Sequence, residues 1–128
     1  MVLDSSAIVA LLLKEPGFER FAEKIDQASV VAVGVPALVE SAMVLTSRLG
    51  WDARLLLLGF VRNTNAELVP FSQEHFDAAM DAFLRFGKGR HPAALNFGDC
   101  MAYALAEVAG LPLLYAGGDF AKTDIRPA

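Results

Sequence analysis

Apolar residues in this chain fall into two alternating rhythms: short unbroken runs, and longer stretches that repeat at the helical period. The opening run "MVLD" leads straight into "SSAIVALLL", which predicts a short buried strand followed by a helix from about Ser5 to Leu13. "KEPG" breaks that helix. "FERFAEKIDQA" is amphipathic, with Phe18, Phe21, Ala22 and Ile25 on one face, and "VVAVG" is a second, β-branched strand. Pro36 suits a first helical turn, so "PALVESAMVLTSRLG" reads as a helix ending at Gly50. Trp51 to about Asn63 reads as the next helix, closed by "NTN", and "AELVPF" as a third strand. "SQEHFDAAMDAFLRFG" is a helix capped by Ser72, with Glu74 nearby, that stops at Gly87. After the loop "GKGRHPAAL" comes the helix of "LNFGDCMAYALAEVAG", and "LPLLYAGG" is a fourth strand with a glycine turn. "DFAKTDIRPA" closes the chain and leaves room for one more short strand.

Strands separated by helices imply an α/β fold with a mainly parallel sheet. In such sheets, sites gather beyond the carboxyl ends of the strands. Asp4 ends the first strand and Asp119 follows the fourth through "AGG", while Glu40 and Asp99 lie early in their helices. Each acid also has a purely local role open to it. Asp4 or Ser5 caps the first helix; Asn96 caps the later one while Asp99 returns the bond. Glu40 favours the positive end of its helix, and Asp119 is an ordinary turn residue. The set asks for more. Asp4 and Asp99 are embedded between apolar segments with no Lys or Arg beside them, and an unpaired carboxylate in low dielectric costs several kcal/mol or takes up a proton. Acids sharing one pocket repel unless a divalent cation neutralises them, and all-oxygen ligation selects Mg²⁺ or Mn²⁺ over zinc.

Composition narrows the alternatives. A chain of 128 residues is expected to form one domain, residues 1–128. Hydrophobic residues make up 55% and mean hydropathy is +0.42, so either most of the chain is interior or some apolar surface awaits a partner. The densest apolar runs, "AIVALLL" and "LLLLGFV", are too short to span a bilayer. No secretory signal is expected, because Asp4 stands where basic residues would be needed. The single cysteine, Cys100, reads as a buried inert thiol and fits a reducing cytoplasm. Net charge −4 argues against a protein that simply coats nucleic acid, although bound cations reverse a local field. His75 reads as a packing or surface histidine and His91, in its loop, as a candidate substrate contact. There is no GxSxG, CxxC, HExxH or phosphate-loop motif. Metal-activated attack of water on a phosphodiester suits the residues that are present.

The segments "MVLDSSAIVALLLKEPG", "VPALVESAMVL", "ALNFGDCMAYALA" and "YAGGDFAKTDI" resemble, in order, the successive motifs of PIN-domain ribonucleases, and more narrowly of VapC toxins of bacterial toxin–antitoxin modules. The resemblance implies a three-layer α/β/α sandwich around a short parallel sheet, and Mg²⁺- or Mn²⁺-dependent endoribonuclease activity. It places the acidic site on Asp4, Glu40, Asp99 and Asp119, with Asp4 and Asp99 as direct metal ligands. Ser6 takes the position of a hydroxyl residue that hydrogen-bonds near the metal. Gly118 departs from the pattern, since relatives often carry a polar residue there. The resemblance also implies a VapB-type antitoxin and a homodimer. For an acidic chain to hold RNA, local basic groups are needed, and Arg85, Lys88, Arg90 and His91 form the densest cluster, with Lys122 and Arg126 behind them. An aspartate-nucleophile phosphatase would need a second acid where Ser6 stands, and no receiver-type Asp and Lys pair is found. The remaining alternative is a catalytically inactive PIN-like scaffold that binds RNA or a protein partner; the four intact acids argue against it.

Overall fold

The structure is a computed structural model that describes residues 1–128. Four very short strands form one sheet in the order β3-β2-β1-β4: β1 is Val2–Leu3, β2 Ala32–Gly34, β3 Glu67–Val69 and β4 Leu113–Leu114. All three pairings are parallel. Six α-helices carry the rest: α1 (Ser5–Leu12), α2 (Phe18–Asp26), α3 (Val35–Leu49), α4 (Arg54–Asn63), α5 (Gln73–Phe86) and α6 (Phe97–Ala109). No helix is long and apolar enough to cross a membrane.

β1, β2 and β4 are buried on both faces, while the edge strand β3 is largely exposed, and the alternation of the buried strands divides the interior. Val2, Ala32 and Leu113 point into one core, filled by Ala79, Ala82 and Phe86 of α5 and by Ala102 to Ala106 of α6. Leu3, Val33 and Leu114 point into the other, filled from α1, α2, α3 and α4 by residues such as Ile8, Ile25, Leu45 and Leu57. Helices therefore cover both faces, giving the α/β/α sandwich.

Two expected boundaries shift. The helix expected from Trp51 begins at Arg54. The reason is local: the Asp52 carboxylate accepts the Arg54 N–H (3.0 Å) and the Thr46 hydroxyl accepts the Ala53 N–H (3.1 Å), which holds Trp51 to Ala53 in a turn. The fifth strand is reduced to a single parallel bridge between Leu113 and Pro127, after a short 3₁₀ turn at Phe120–Lys122. A proline brings no N–H to a ladder, so pairing does not propagate there.

Strand order sets the location of the site. The chain moves from β1 outward to β2 and β3, then crosses back to place β4 on the other side of β1. That reversal leaves a crevice beyond the carboxyl ends of β1 and β4, the topological switch point where open α/β sheets bind ligands.

Candidate active site

Asp4 follows β1 immediately and is the N-cap of α1, with only 3% of its surface exposed. Its backbone N–H donates to Leu114 O at 2.9 Å, which ties it to β4. Its Oδ2 accepts the Ser6 backbone N–H (3.0 Å) and the Ser6 hydroxyl, and Ser6 Oγ in turn accepts the Ala116 N–H at 3.0 Å. Ser6 thus fixes one carboxylate oxygen and clamps the segment after β4 against the start of α1. Burial raises the Asp4 pKa above the ordinary carboxylate value, and the bonds from Ser6 restrain the rise.

Asp99 occupies the first turn of α6 in a reciprocal capping box. The Asp99 N–H donates to Asn96 Oδ1 and the Asn96 N–H donates to Asp99 Oδ2, both at 2.9 Å. One oxygen is used in the cap; the other has no hydrogen-bond partner within the chain. The carboxyl is pushed up to about 6, by burial above all and then by the negative charges of Asp4, Asp119 and Glu40, against the pull of the Asn96 N–H. Asp99 is therefore close enough to feel the charge of each of the other three acids.

Glu40 reaches the same place from α3. A Cβ built on Gly98 would lie 2.3 Å from Glu40 Oε2 and 2.9 Å from Cδ, so the carboxylate rests against the first turn of α6 in space that only a glycine leaves open. The positive end of that helix compensates part of its charge. Burial and then the Asp4 carboxylate raise the Glu40 pKa, and the neighbouring Ser5 hydroxyl pulls it back in part. Asp119 is exposed at the start of the 3₁₀ turn beyond β4.

No basic side chain pairs with any of these acids. The ion pairs of the chain are Arg48 with Glu15, Arg54 with Asp52, and Arg85 with Asp124. A half-buried anionic cluster without cations, built entirely from oxygen donors, has the chemistry of a site for a hard divalent ion. In this conformation no three of the side chains converge closely enough to clasp one ion, so full ligation would need side-chain rotation.

Several of the basic residues expected to hold RNA bond or stack within the chain. Arg85 is engaged by Asp124 and lies over the Phe86 ring, 4.6 Å from its centroid. Arg90 lies 5.2 Å from the Phe83 ring centroid. His91 accepts the Ala93 N–H through Nδ1 (3.1 Å) and packs edge-on against Phe86. Lys88 stands at an apolar cleft lined by Phe76, Met80, Phe83 and Phe97. Lys122 and Arg126 donate to the carbonyls of Pro92 and Gly110. His75 is buried as a packing residue, its Nδ1 accepting the Ser72 N–H at the start of α5.

Sequence reasoning gave Ser5 only a capping role and Gly98 none, yet both shape the surroundings of Glu40. The available signal for Gly98 was its setting. A glycine in the first turn of a helix costs helix propensity, and here it adopts no positive φ that would explain it.

A fold of this topology with such a cluster at its switch point defines the PIN-domain class, and the family profile described as PIN domain matches residues 1–126. The chain is 39% identical over 125 residues to ribonuclease VapC30 of Mycobacterium tuberculosis, covering 98% of this chain and 95% of the relative. Among solved structures, VapC20 of Mycobacterium tuberculosis, a toxin that cleaves the sarcin–ricin loop, superposes with a TM-score of 0.78 over 99% of this chain and 97% of that one, at 17% identity. A toxin–antitoxin complex from Klebsiella pneumoniae gives a TM-score of 0.70 at 16% identity, over 96% and 92%. The chain belongs to the PIN-domain family, among its VapC ribonucleases.

Proposed function

We propose that this protein is the toxin of a type II toxin–antitoxin pair, an endoribonuclease that hydrolyses RNA phosphodiester bonds with Mg²⁺ or Mn²⁺. One observation supports the reading: Asp4, Glu40 and Asp99 lie near the carboxyl end of the sheet with raised pKa values, Asp119 adds its charge beside Asp99, and no cation of the protein pairs with any of them.

Asp4 and Asp99 are the direct ligands in this reading, and Glu40 and Asp119 complete the pocket. A divalent ion held there supplies a water of lowered pKa and stabilises negative charge on the attacked phosphate and the leaving oxygen. The chain's own residues do the positioning. Ser6 holds Asp4 Oδ2 and keeps the loop after β4 in place. The capping box of α6 fixes the Asp99 backbone and one of its oxygens, leaving the other available. Gly98 admits the Glu40 carboxylate to the same surface. Repulsion among the acids is relieved as the ion binds, which favours the loaded state.

The relatives' names and the Klebsiella complex support an antitoxin partner. Val39, Met43, Leu55, Phe76 and Phe97, all exposed, provide apolar surface for such a partner and for a second copy. The lone thiol is buried, in keeping with a cytoplasmic setting. The test is to map cleavage ends in cellular RNA after induced expression, with Asp99→Asn as control. Discrete new 5′ ends that vanish in the variant are the expected result; identical ends from both proteins would overturn the assignment.

A further inference from the structure

The face of α3 that carries Glu40 continues, one and two turns on, as Val44 and Arg48. Arg48 lines a cleft of about 240 Å³ together with Ser5, Ser6, Glu15, Val44 and Ala116. Ser5 and Ser6 directly follow Asp4, and Ser6 bonds both the Asp4 carboxylate and Ala116. The cleft is therefore a continuation of the carboxylate site, and it contains an arginine. Arg48 Nη1 lies 2.6 Å from Glu15 Oε1, and the two side chains are 56% and 38% exposed. An ion pair so open to solvent contributes little to stability, so a stronger anion can displace the glutamate.

What sets Arg48 apart from the other cations is position: it is the one basic side chain that lines this cleft, while Arg54 and Arg85 pair with Asp52 and Asp124 elsewhere. Eight residues of helix put Glu40 and Arg48 about 12 Å apart along the axis. That backbone spacing suits a phosphate flanking the one being cleaved.

We propose that this cleft is a phosphate subsite for single-stranded RNA, in which Arg48 exchanges Glu15 for a backbone phosphate flanking the scissile one. The inference rests on the nuclease reading above. A planar guanidinium matches a phosphate with paired hydrogen bonds, and a chain of net charge −4 needs such a local cation to hold RNA at all. Arg48 is a binding residue, so its effect falls on affinity and not on the chemical step. Glu15 competes with the substrate, and removing its charge strengthens binding.

The test measures fluorescence anisotropy of a short, labelled, single-stranded RNA of mixed sequence with the full chain, in an Asp99→Asn background and across a salt series. Arg48→Gln is expected to weaken binding about 5–10-fold and to flatten the salt dependence by about 0.7 in log–log slope. Arg48→Lys, which keeps the charge, should recover most of the loss, and Glu15→Gln should tighten binding. In otherwise wild-type protein, Arg48→Gln should raise KM and leave kcat nearly unchanged. Unchanged affinity and salt slope in Arg48→Gln would overturn the subsite, as would weakening by Glu15→Gln equal to that of Arg48→Gln, since a purely structural ion pair behaves that way. Failure of the parent to bind RNA, with no cleavage by the wild type, would remove the nuclease reading itself and the subsite with it. RNA binding that is insensitive to Arg48 removes the subsite alone.

Discussion

Replacing Asp99 with Asn should stabilise the metal-free protein while destroying its activity. The Asp99 carboxyl is displaced from its ordinary 3.8 to about 6 by burial and by three neighbouring acids. Taken in full, that displacement corresponds to about 3 kcal/mol in favour of the protonated form. Solvent reaching the half-buried group screens the repulsion and reduces this to roughly 1–2 kcal/mol. Because the folded-state pKa is raised, the folded protein binds the proton more tightly than the unfolded chain does. Stability from this group is therefore complete below about pH 4 and is lost as pH climbs through about 6. Asparagine resembles the protonated acid and keeps an oxygen to accept the Asn96 N–H, so it does not titrate and does not uncap α6. Thermal unfolding in EDTA should show the variant melting about 4–8 °C higher than wild type at pH 8, with the gap closing toward pH 4. Added Mn²⁺ should raise the wild-type Tm by mass action and leave that of the variant nearly flat, and RNA cleavage by the variant should be absent. A variant no more stable than wild type at pH 8, or a gap of the same size at pH 4, would refute the claim that burial and neighbouring acids disfavour the charged Asp99 in the folded state.

Three further outcomes follow from the same geometry. Gly98→Ala should leave α6 as stable or slightly more so, since Ala is the better helix former, yet lower cleavage at least about tenfold by displacing Glu40; full activity in a folded variant would show that the close approach of Glu40 is dispensable. Tyr103→Phe removes the 2.6 Å hydrogen bond from the buried Tyr103 hydroxyl to Asp124, which helps hold the C-terminal segment to α6; a loss of about 1–2 kcal/mol in urea unfolding is expected. That bond and the Arg85 guanidinium hold the Asp124 pKa below the ordinary value, so the stability it contributes is present above about pH 4 and fades on acidification below it; a penalty for Tyr103→Phe that persists unchanged at pH 2 would contradict this. His75→Ala should cost about 1 kcal/mol by removing the acceptor that caps α5, read as a lower urea midpoint at an unchanged m-value, and a midpoint equal to wild type would dismiss the cap.

Element order was legible because buried parallel strands and amphipathic helices have different periods, and this chain changes period cleanly at each boundary. The errors came where side chains intercept backbone groups. Asp52 and Thr46 hold back the start of α4, and at α5 it is His75, read from sequence only as a packing or surface residue, that returns the cap bond. The distance relations of the site were not legible at all. That Gly98 faces Glu40 depends on how α3 and α6 pack, and no local pattern encodes it. Searching for basic groups by density picked out the loop around Lys88 and Arg90, whose members largely bond or stack within the chain. The Arg48 subsite proposed above follows a different rule, the helical period that runs from Glu40 through Val44.

The local role of these acids and the functional role proposed for them are compatible, because each capping acid uses only one oxygen in its cap. Asp4 and Asp99 cap their helices through Oδ2. Capping is what makes a buried carboxylate tolerable there. Helix N-termini supply N–H donors and a positive end, which offset part of the cost of desolvating an anion. A side chain held by one oxygen also loses little further freedom when the second oxygen takes a ligand. The offset stays incomplete, as the raised pKa values of Asp4, Glu40 and Asp99 indicate. An arrangement that satisfied every carboxylate with an internal cation would be more stable without metal and would have no reason to bind one. In the metal-dependent reading proposed above, this incompletely offset cost of burial and repulsion favours the metal-bound state and lowers the stability of the metal-free protein.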